Sequence, residues 1–313
     1  MKLLVSGSLA YDRIMNFEGR FSDHILPDKI HVLNVSFNVN GLQEKLGGTA
    51  GNIAYGLAQL GENPSVLACV GKDGQRYLEW LKQHGIDTGC IQTVEDEYTA
   101  GCYITTDLSD NQIAGFNPGA MNRPCGFDFS TCDPGGSLAI VAAGNPEDMA
   151  GFPGMFRERG IDFIYDPGQA LNFLQGPQLL DSLTGARILI SNDYELEIIM
   201  HKTGLNREAL LDKVQTIITT KGEQGSVLLE KERQVGIPAA PAATVKDPTG
   251  AGDAYRSGIM KGMTQGLDLA QACLWGAALS SFAVACYGTQ EYAVTEQEFN
   301  ERLDQVKQMV SWA

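Results

Sequence analysis

The sequence has little positive charge. Only 23 of its 313 residues are Lys or Arg, against 38 Asp or Glu, so the net charge is −15 with His neutral. A surface this acidic does not attract nucleic acids or anionic membranes, and we expect neither as a partner. Any phosphate that the protein binds must be held by backbone N–H groups or by a metal, because no general positive field is available.

Cysteine pairs, a secretion signal and long apolar runs are also lacking. The seven cysteines are odd in number and no two form a C-x-x-C pair, which excludes a disulfide framework and a zinc site. The opening segment 1–5 is too short an apolar run for a signal peptide, so a cytoplasmic, reduced setting is expected. The uncharged stretch 269–290 is broken by polar and small residues, and it predicts a buried core helix rather than a membrane span.

Three common nucleotide-binding motifs are missing. The sequence contains no G-x-x-x-x-G-K-[ST] loop, no H-R-D kinase loop and no G-x-G-x-x-G fingerprint. Without the last of these, a dinucleotide-dependent oxidoreductase is excluded. Phosphoryl transfer, if it occurs, must use a different cradle for the phosphates.

Short apolar runs alternate with helix-length segments along most of the chain. Helical segments space their apolar residues by three and four, as at Ile53, Leu57 and Leu60. The alternation predicts an α/β fold with a mostly parallel sheet and helices on both faces. The strand-like runs are Lys2–Gly7, Pro64–Val70, Ser137–Ala142, Asp162–Asp166, Arg187–Ser191 and Thr216–Thr220.

Two segments interrupt this alternation. The first, Arg13–Leu46, has strand-like pieces at Ile30–Val35 and Phe37–Val39 and few helix signals. In the second, we expect Ala100–Thr106 to pair with Gln112–Asn117 through a turn at residues 110–111. Together they predict a small β lid, inserted from about 13–46 and 98–118 into a single domain that spans residues 1–313.

The most informative motif is D-P-T-G-A-G-D at Asp247–Asp253, followed by a helical pattern over Ala254–Gly266. Two glycines at a helix start let the backbone approach a ligand, and the free N–H groups there favour an anion. Asp253 would be repelled by a bound phosphate, yet it is well placed to take a proton from a hydroxyl that attacks that phosphate. The alternative is an ordinary helix-start acid behind a tight turn.

Other polar residues stand at helix starts and strand ends. Asn52, near a helix start after Gly47-Gly48, offers a donor and an acceptor for vicinal hydroxyls, and Asp12 offers acceptors for the same hydroxyls. The alternatives are that Asn52 is a helix cap and that Asp12 is an ordinary loop carboxylate. Asn192 and Glu195 follow a strand and suit the water shell of a Mg²⁺ bound to nucleotide phosphates, unless they only begin a helix. After the next strand, hydroxyl and N–H groups for phosphate are available at Thr220 and Gly222.

Taken together and in order, these motifs resemble the ribokinase-like (PfkB) family of carbohydrate and nucleoside kinases. The N-terminal signature matches Gly47, Gly48 and Asn52, the D-x-x-G-A-G-D signature matches Asp247–Asp253, and Asn192 with Glu195 matches N-x-x-E. The resemblance covers the chain from Ser6 to the final helix. It implies a three-layer sandwich with a β lid, and Mg-ATP-dependent transfer of the γ-phosphate to a primary hydroxyl of a sugar or nucleoside.

The resemblance also implies roles for individual residues. Asp253 would be the base, with the N–H groups of Gly250, Ala251 and Gly252 as the anion hole. The ribose hydroxyls would be held by Asp12, Gly48 and Asn52. The metal and its water would be held by Asn192 and Glu195. ATP would be held by Asn192, Thr220, Gly222 and Gly250. Many members bind a monovalent cation such as K⁺, and Asp247 and Thr249 match part of that site, although Pro248 replaces a Thr found in many of them. The lid covers a monomer's site or pairs with a second subunit's lid.

Within the family, several runs look most like bacterial adenosine kinases, including Gly7–Asp12 and Asp166–Gln169. A purine needs an apolar slot, for which the lid offers Phe37 and Phe116 unless these are lid-core aromatics, and Gln169 is available to read a base edge. We therefore expect an adenosine kinase acting on the 5′-hydroxyl. The alternatives are a ribokinase-type sugar kinase or another nucleoside kinase and, from a different class, a non-catalytic nucleoside-binding protein.

Overall fold

The computed structural model describes residues 1–32 and 34–312. The strands of this part of the chain, numbered in order, are β1 (Lys2–Ser6), β2 (Ala10–Phe17), β3 (Val39–Gly47), β4 (Ser65–Gly71), β5 (Ile91–Val94), β6 (Ala100–Thr106), β7 (Gln112–Asn117), β8 (Ser137–Val141), β9 (Asp162–Tyr165), β10 (Ile188–Asn192), β11 (Thr216–Thr220), β12 (Ser226–Leu229) and β13 (Gln234–Ile237). All six strands predicted from the apolar runs are present, within about one residue of the expected ends.

The α-helices are α1 (Thr49–Gln59), α2 (Gln75–Gln83), α3 (Pro146–Arg159), α4 (Gly176–Leu183), α5 (Asp193–Thr203), α6 (Arg207–Leu210), α7 (Ala251–Thr264), α8 (Leu269–Ala283) and α9 (Glu296–Gln308). Short 3-10 helices connect some of these elements, at Phe21–Asp23, Pro27–Val32, Gly119–Asn122, Phe129–Thr131, Gly168–Asn172 and Gly222–Gln224.

The larger sheet has the strand order β13-β12-β11-β10-β9-β8-β1-β4-β5. Its pairs are parallel except where β12 contacts β11 and β13. Because β1 lies between β4 and β8, the chain runs first toward one edge and later returns on the other side of β1. Open α/β sheets bind ligands at such a reversal, beyond the carboxyl ends of the strands.

Two hydrophobic cores lie on the two faces of this sheet. Successive side chains of a strand point to opposite faces, so neighbouring residues of β1 belong to different cores. Leu3 and Val5 belong to the first core and Leu4 to the second. The first core is packed by α1, α7, α8 and α9, and the second by α3, α4 and α5. The result is the three-layer α/β sandwich that the sequence predicted.

Helix α8 accounts for most of the uncharged stretch that the sequence analysis singled out. Ten of its residues are buried, as predicted, and eight of these belong to the first core. It packs closely on α7, where a Cβ added at Gly258 would lie 2.5 Å from the backbone nitrogen of Gly276. No helix within the described ranges combines the length and the apolar character that a membrane span requires.

A second, four-stranded sheet forms the lid, in the order β3-β2-β6-β7. Its strands come from both predicted segments, and β6 and β7 have the predicted ends, joined by a turn in which Asp110 adopts a left-handed φ of 59°. The carboxylate of Asp107 accepts from the backbone N–H groups of Ser109 and Asn111, which holds this turn. Strand β2 begins at Ala10, a little before the predicted start of the lid.

One predicted lid strand is wrong. Residues 27–32 form a 3-10 helix instead of the first part of an Ile30–Val35 strand, and Leu33 lies outside the described residues. Proline at the first position and Asp28 in the first turn favour a helical start, which outweighs the β-branched residues that suggested a strand. The strand expected from Phe37 begins two residues later, at Val39.

Candidate active site

A cleft of about 560 Å³ lies at the carboxyl ends of β1 and β8, under the lid. Its walls include Ser8 and Ala143, which each lie two residues beyond the end of one of these strands. The lid contributes Phe116 to one wall, and the start of α7 contributes Gly250 and Asp253 to another. The cleft therefore sits at the strand-order reversal, and it brings together motifs that are far apart in the sequence.

The start of α7 is built around Gly250. This residue has a φ of +78°, and a Cβ there would lie 2.8 Å from Cγ2 of Thr289, so both the backbone and the available space require glycine. The residue serves as the N-cap without a side-chain cap. The helix therefore begins with its first N–H groups uncapped by any side chain.

These N–H groups are arranged for an anion. In residues 1–32 and 34–312 no acceptor outside the helix pairs with the N–H of Gly252 or Asp253, whereas the N–H of Ala251 donates to the carbonyl of Pro248 at 3.2 Å. Free N–H groups and the helix dipole together favour negative charge at this end. Among the described residues the N–H of Gly250 has no acceptor either, so two of the three N–H groups of the predicted cradle, Gly250 and Gly252, are free, and Asp253 adds another.

Asp253 lies at the cleft wall. Its Oδ2 accepts a hydrogen bond of 2.8 Å from Nδ2 of Asn52. Burial raises the pKa of the Asp253 carboxyl to about 6, and the nearby Arg256 guanidinium and the Asn52 hydrogen bond limit the rise. A carboxyl with this pKa is mostly ionised at neutral pH and can still accept and release a proton, which suits a general base.

The amide of Asn52 is fixed by a buried network. Its Oδ1 accepts from Oγ1 of Thr289 at 2.7 Å and from Nε2 of Gln290 at 3.1 Å. The same Gln290 nitrogen donates to the hydroxyl of Tyr77 at 2.7 Å. Since both lone pairs of the Asn52 oxygen are used, its Nδ2 must face Asp253. This network was not predicted, and it leaves the Asn52 oxygen no room to accept from a ribose hydroxyl.

A buried ion pair lies beside Asp253. The guanidinium of Arg256 donates to Asp166 through two nitrogens, Nε to Oδ2 and Nη2 to Oδ1, the second at 2.9 Å. Both residues are buried and both line the cleft. The charge of Asp166, followed by their hydrogen bond and by Asp253, raises the pKa of Arg256 against the effect of burial. Arg256 therefore stays fully charged within the site.

The residues proposed for the ribose hydroxyls also line the cleft. Asp12 projects from β2, and burial followed by the charge of Asp247 raises the pKa of its carboxyl. Gly48 has a φ of +90°, and a Cβ there would lie 2.6 Å from the carbonyl oxygen of Ser8. Gly48 therefore keeps the first turn of α1 close to the end of β1, and it leaves backbone open to the cleft.

The lid end of the cleft has apolar walls. Phe116 of β7 is 53% exposed, and Phe173, which was not predicted, is 46% exposed and follows the 3-10 helix Gly168–Asn172. Met121 and Gln169 also line the cleft, and Gln169 is exposed. The two rings have free apolar surface, and the Gln169 amide can form hydrogen bonds with a base edge; a purine base requires both.

Phe37 does not contribute to these walls. Its ring packs on Phe17, Phe21 and His24, with centroid distances of 4.8, 5.1 and 5.9 Å. The prediction of Phe37 in a purine slot is wrong, and the alternative of a lid-core aromatic is what the structure has. The physical reason is that three aromatic partners within the lid bury more of the ring than an open cleft would.

Asn192 and Glu195 form a capping box at the start of α5. The Asn192 side chain accepts from the N–H of Glu195 at 2.7 Å, and the Glu195 carboxylate accepts from the N–H of Asn192 at 2.8 Å. Glu195 lines the cleft and burial raises the pKa of its carboxyl, whereas Asn192 lies outside the cleft walls. Asn192 and Glu195 therefore do begin a helix, as the alternative interpretation held. The second oxygen of the Glu195 carboxylate remains available to the cleft.

Of the remaining predicted residues, only Thr249 lines the cleft. Its N–H donates to Oδ1 of Asp247 at 2.9 Å, so these two are neighbours as the cation-site prediction requires. Thr220 pairs with Asn192 across β10 and β11, and Gly222, with a φ of +57°, follows it. Within the described ranges no three His, Cys, Asp or Glu side chains are grouped to hold a metal ion.

Comparison with known proteins identifies the family. A profile described as "pfkB family carbohydrate kinase" matches residues 3–296. The chain belongs to this family.

Known members of the PfkB family can be aligned with nearly the whole chain. A nucleoside kinase of Methanocaldococcus jannaschii is 32% identical over 312 residues, covering 97% of both chains. A nucleoside kinase of Burkholderia thailandensis, solved in complex with inosine, is 36% identical, with a TM-score of 0.82 and 97% of each chain covered. An Arabidopsis thaliana ribokinase complexed with ribose and ATP is 19% identical with a TM-score of 0.75, covers 96% of this chain and 98% of its own, and shows the shared fold alone.

Sequence reasoning missed the parts of the site that depend on distant partners. Thr289 and Gln290 hold Asn52, and Tyr77 in turn holds Gln290; no local sequence pattern marks these three residues. Arg256 did carry a signal, because a residue three positions after Asp253 lies on the same helix face. Its partner Asp166 follows β9 directly, at the sheet edge where the predicted ligand site lies, so the pair was open to prediction.

Proposed function

We propose that the protein is a Mg-ATP-dependent nucleoside kinase that transfers the γ-phosphoryl group to the 5′-hydroxyl of adenosine. The observation that carries this proposal is the cleft itself. One end has Asp253 beside the uncapped start of α7, and the other has the apolar walls of Phe116 and Phe173. A nucleoside bound with its base under the lid and its ribose toward Asp12 would direct its 5′-hydroxyl to Asp253.

The reaction follows from these positions. The 5′-oxygen attacks the γ-phosphorus, its proton passes to the Asp253 carboxylate, and the bond to the bridging oxygen breaks to release ADP. The free N–H groups of Gly252 and Asp253 would stabilise the negative charge of the transferring group. Asn52 keeps the Asp253 carboxylate in place through its hydrogen bond to Oδ2. Closure of the lid would exclude water, which is a competing acceptor.

The residues present fit a magnesium ion carried by the nucleotide. Mg²⁺ prefers oxygen ligands and retains several waters, and the free oxygen of Glu195, with Asn192 behind it, suits that water shell. The ion would neutralise charge on the β- and γ-phosphates. Thr220 and Gly222 would lie along ATP, and Asp247 with Thr249 would take part in a potassium site.

A nucleoside is favoured over a free sugar by two features. The relatives with 32% and 36% identity are described as nucleoside kinases. Free ribose would leave the rings of Phe116 and Phe173 in contact with water, whereas a base would cover them. Inosine is the second candidate acceptor, since the Burkholderia thailandensis kinase was solved with inosine and the Gln169 amide can present either a donor or an acceptor to a purine edge.

The test is a comparison of acceptors for the purified protein with Mg-ATP, in potassium and in sodium. We expect adenosine to give the highest kcat/KM among adenosine, inosine, guanosine, cytidine and ribose, with higher rates in potassium. A preference for inosine would keep the mechanism and move the acceptor to the second candidate. A preference for ribose would contradict the nucleoside proposal, and nucleoside binding without turnover on any acceptor would support a non-catalytic binding protein.

A further inference from the structure

The cleft is strongly acidic for a site that takes a nucleoside triphosphate. Its walls include four carboxylates, Asp12, Asp166, Glu195 and Asp253. Within the described part of the chain Arg256 is the one cationic side chain that lines it. The protein as a whole has a net charge of −15. A donor with a highly charged phosphate tail therefore meets a single positive group in this cleft.

Arg256 is held so that part of its guanidinium stays free. Asp166 receives the hydrogen bonds of Nε and Nη2. No acceptor in residues 1–32 and 34–312 pairs with the remaining nitrogen, Nη1. The residue is only 7% exposed, so its orientation is fixed by protein contacts on most sides. A buried guanidinium with one unused nitrogen at a cleft wall is a prepared donor for an anion.

Gly252 shows where the free nitrogen lies. Gly252 does not have a positive φ, so the backbone does not require glycine at this position. A Cβ added there would lie 2.7 Å from Nη1 of Arg256. The space left by the missing side chain is thus occupied by the guanidinium. This places Nη1 directly beside the first turn of α7, next to the free N–H groups that favour an anion.

We propose that Arg256 is a further catalytic residue, whose Nη1 donates to the γ-phosphoryl group of the triphosphate during its transfer. Asp166 is its positioning residue, because the two-point contact aims Nη1 at the start of α7. This proposal rests on the function proposed above. As the acceptor oxygen bonds to phosphorus, Asp253 takes the acceptor's proton and the electron pair of the breaking bond leaves with ADP, while Nη1 stabilises the charge on the equatorial oxygens.

Arginine suits this role better than lysine would. Its planar fork can bind Asp166 on one edge and a phosphoryl oxygen with the other nitrogen. An ammonium group has no comparable second edge. Lysine at this position would therefore keep the charge opposite Asp166 and lose the directed contact with the phosphoryl group. That difference separates a direct contact from a structural ion pair.

The experiment measures nucleotide binding by calorimetry, using AMP-PNP and ADP, each with Mg²⁺, in the full-length protein. The variants are Arg256→Lys and Arg256→Gln, with circular dichroism to check their folding. The control is Lys261→Gln, at a residue of the same helix that lies outside the cleft; it removes the partly buried ion pair between Lys261 and Glu62. We expect both Arg256 variants to bind AMP-PNP about tenfold more weakly or worse, ADP within about twofold, and the control to bind both normally.

Turnover provides the second measurement. We expect kcat to fall about 100-fold or more in Arg256→Lys, with the KM for the nucleoside changed by less than about threefold. Equal losses for ADP and AMP-PNP, or wild-type binding and kcat in Arg256→Lys, would overturn the proposal. A wild-type protein that binds AMP-PNP but phosphorylates no nucleoside would overturn the proposed function alone, since the binding comparison still decides the role of Arg256. Failure of the wild type to bind either nucleotide would overturn both.

Discussion

The two ends of the cleft are built in opposite ways. At the reaction end, Asp253 and Asn52 belong to a chain of hydrogen bonds that continues through buried Gln290. At the lid end, Phe116 and Phe173 are about half exposed and lie on separate segments. The comparison indicates a division of labour: one end holds reacting groups in fixed positions, and the other keeps free surface for the acceptor.

The difference has a physical basis. A general base must lie within hydrogen-bond reach of the proton that it accepts, and small displacements reduce the rate strongly. An aromatic wall acts through contact area, which tolerates movement and gains its energy only when a ligand covers it. Changes at the reaction end should therefore affect kcat, and changes at the lid end should affect KM.

The largest effect is expected for Asp253→Asn. Asparagine keeps the size of the side chain but cannot take the proton, so kcat should fall by about 10³-fold or more, while nucleoside affinity changes by less than about threefold. Steady-state kinetics and calorimetric titration with adenosine would measure the two quantities. Near-normal turnover in this variant would contradict the assignment of Asp253 as the base.

Glycine substitutions compare the rigidity of the two regions. In Gly258→Ala the added Cβ would lie 2.5 Å from backbone atoms of α8, behind the reaction end. We expect a loss of about 2 kcal/mol in the free energy of unfolding from this overpacking. The control is Gly115→Ala in β7 of the lid, where a Cβ meets nothing within 4 Å, and this change should be near neutral. Denaturant unfolding of both variants is the measurement, and equal losses would contradict the comparison.

The pH dependence of kcat tests the Asn52 contact. Because the pKa of Asp253 is raised to about 6, the base becomes protonated and activity should fall as the pH drops through about 6. Asn52→Leu removes a hydrogen bond that lowers this pKa, so the acid limb should move to higher pH and kcat at pH 7 should fall about tenfold.

The same variant has an internal control. At pH values above the shifted limb the carboxylate is ionised again, so most of the lost activity of Asn52→Leu should return if the contact acts through the pKa. Thr289→Val removes a donor to the Asn52 oxygen but not the contact with Asp253, and it should shift the limb less. An unchanged pH profile in Asn52→Leu would show that the contact does not tune the base.

The smallest effect is expected at the lid. Phe116→Ala removes an exposed ring that a base would cover, so the KM for adenosine should rise about fivefold to tenfold with kcat nearly unchanged. The KM for ribose, if ribose is a substrate, should not change. A fall in kcat of the size seen for a reaction-end variant would remove the distinction between the two ends.

Much of this division was readable in the sequence. The D-P-T-G-A-G-D motif predicted the start of α7 and the position of Asp253, because the backbone at Gly250 and the chemistry of a base are local properties. The strand runs and the β6–β7 hairpin were predicted for the same reason. Phe37 was misplaced, and the network around Asn52 was missed, because both depend on which distant side chains the fold brings together.

The central claim is that the 5′-hydroxyl of a nucleoside reaches Asp253 while the base occupies the lid end. The most direct test incubates the protein with Mg-ATP and either adenosine or 5′-deoxyadenosine, and follows the products by phosphorus NMR. We expect adenosine 5′-monophosphate from the first, and no phosphorylated product from the second, which should instead inhibit competitively. Phosphorylation of 5′-deoxyadenosine, or a product of adenosine phosphorylated on the 2′- or 3′-oxygen, would contradict the account.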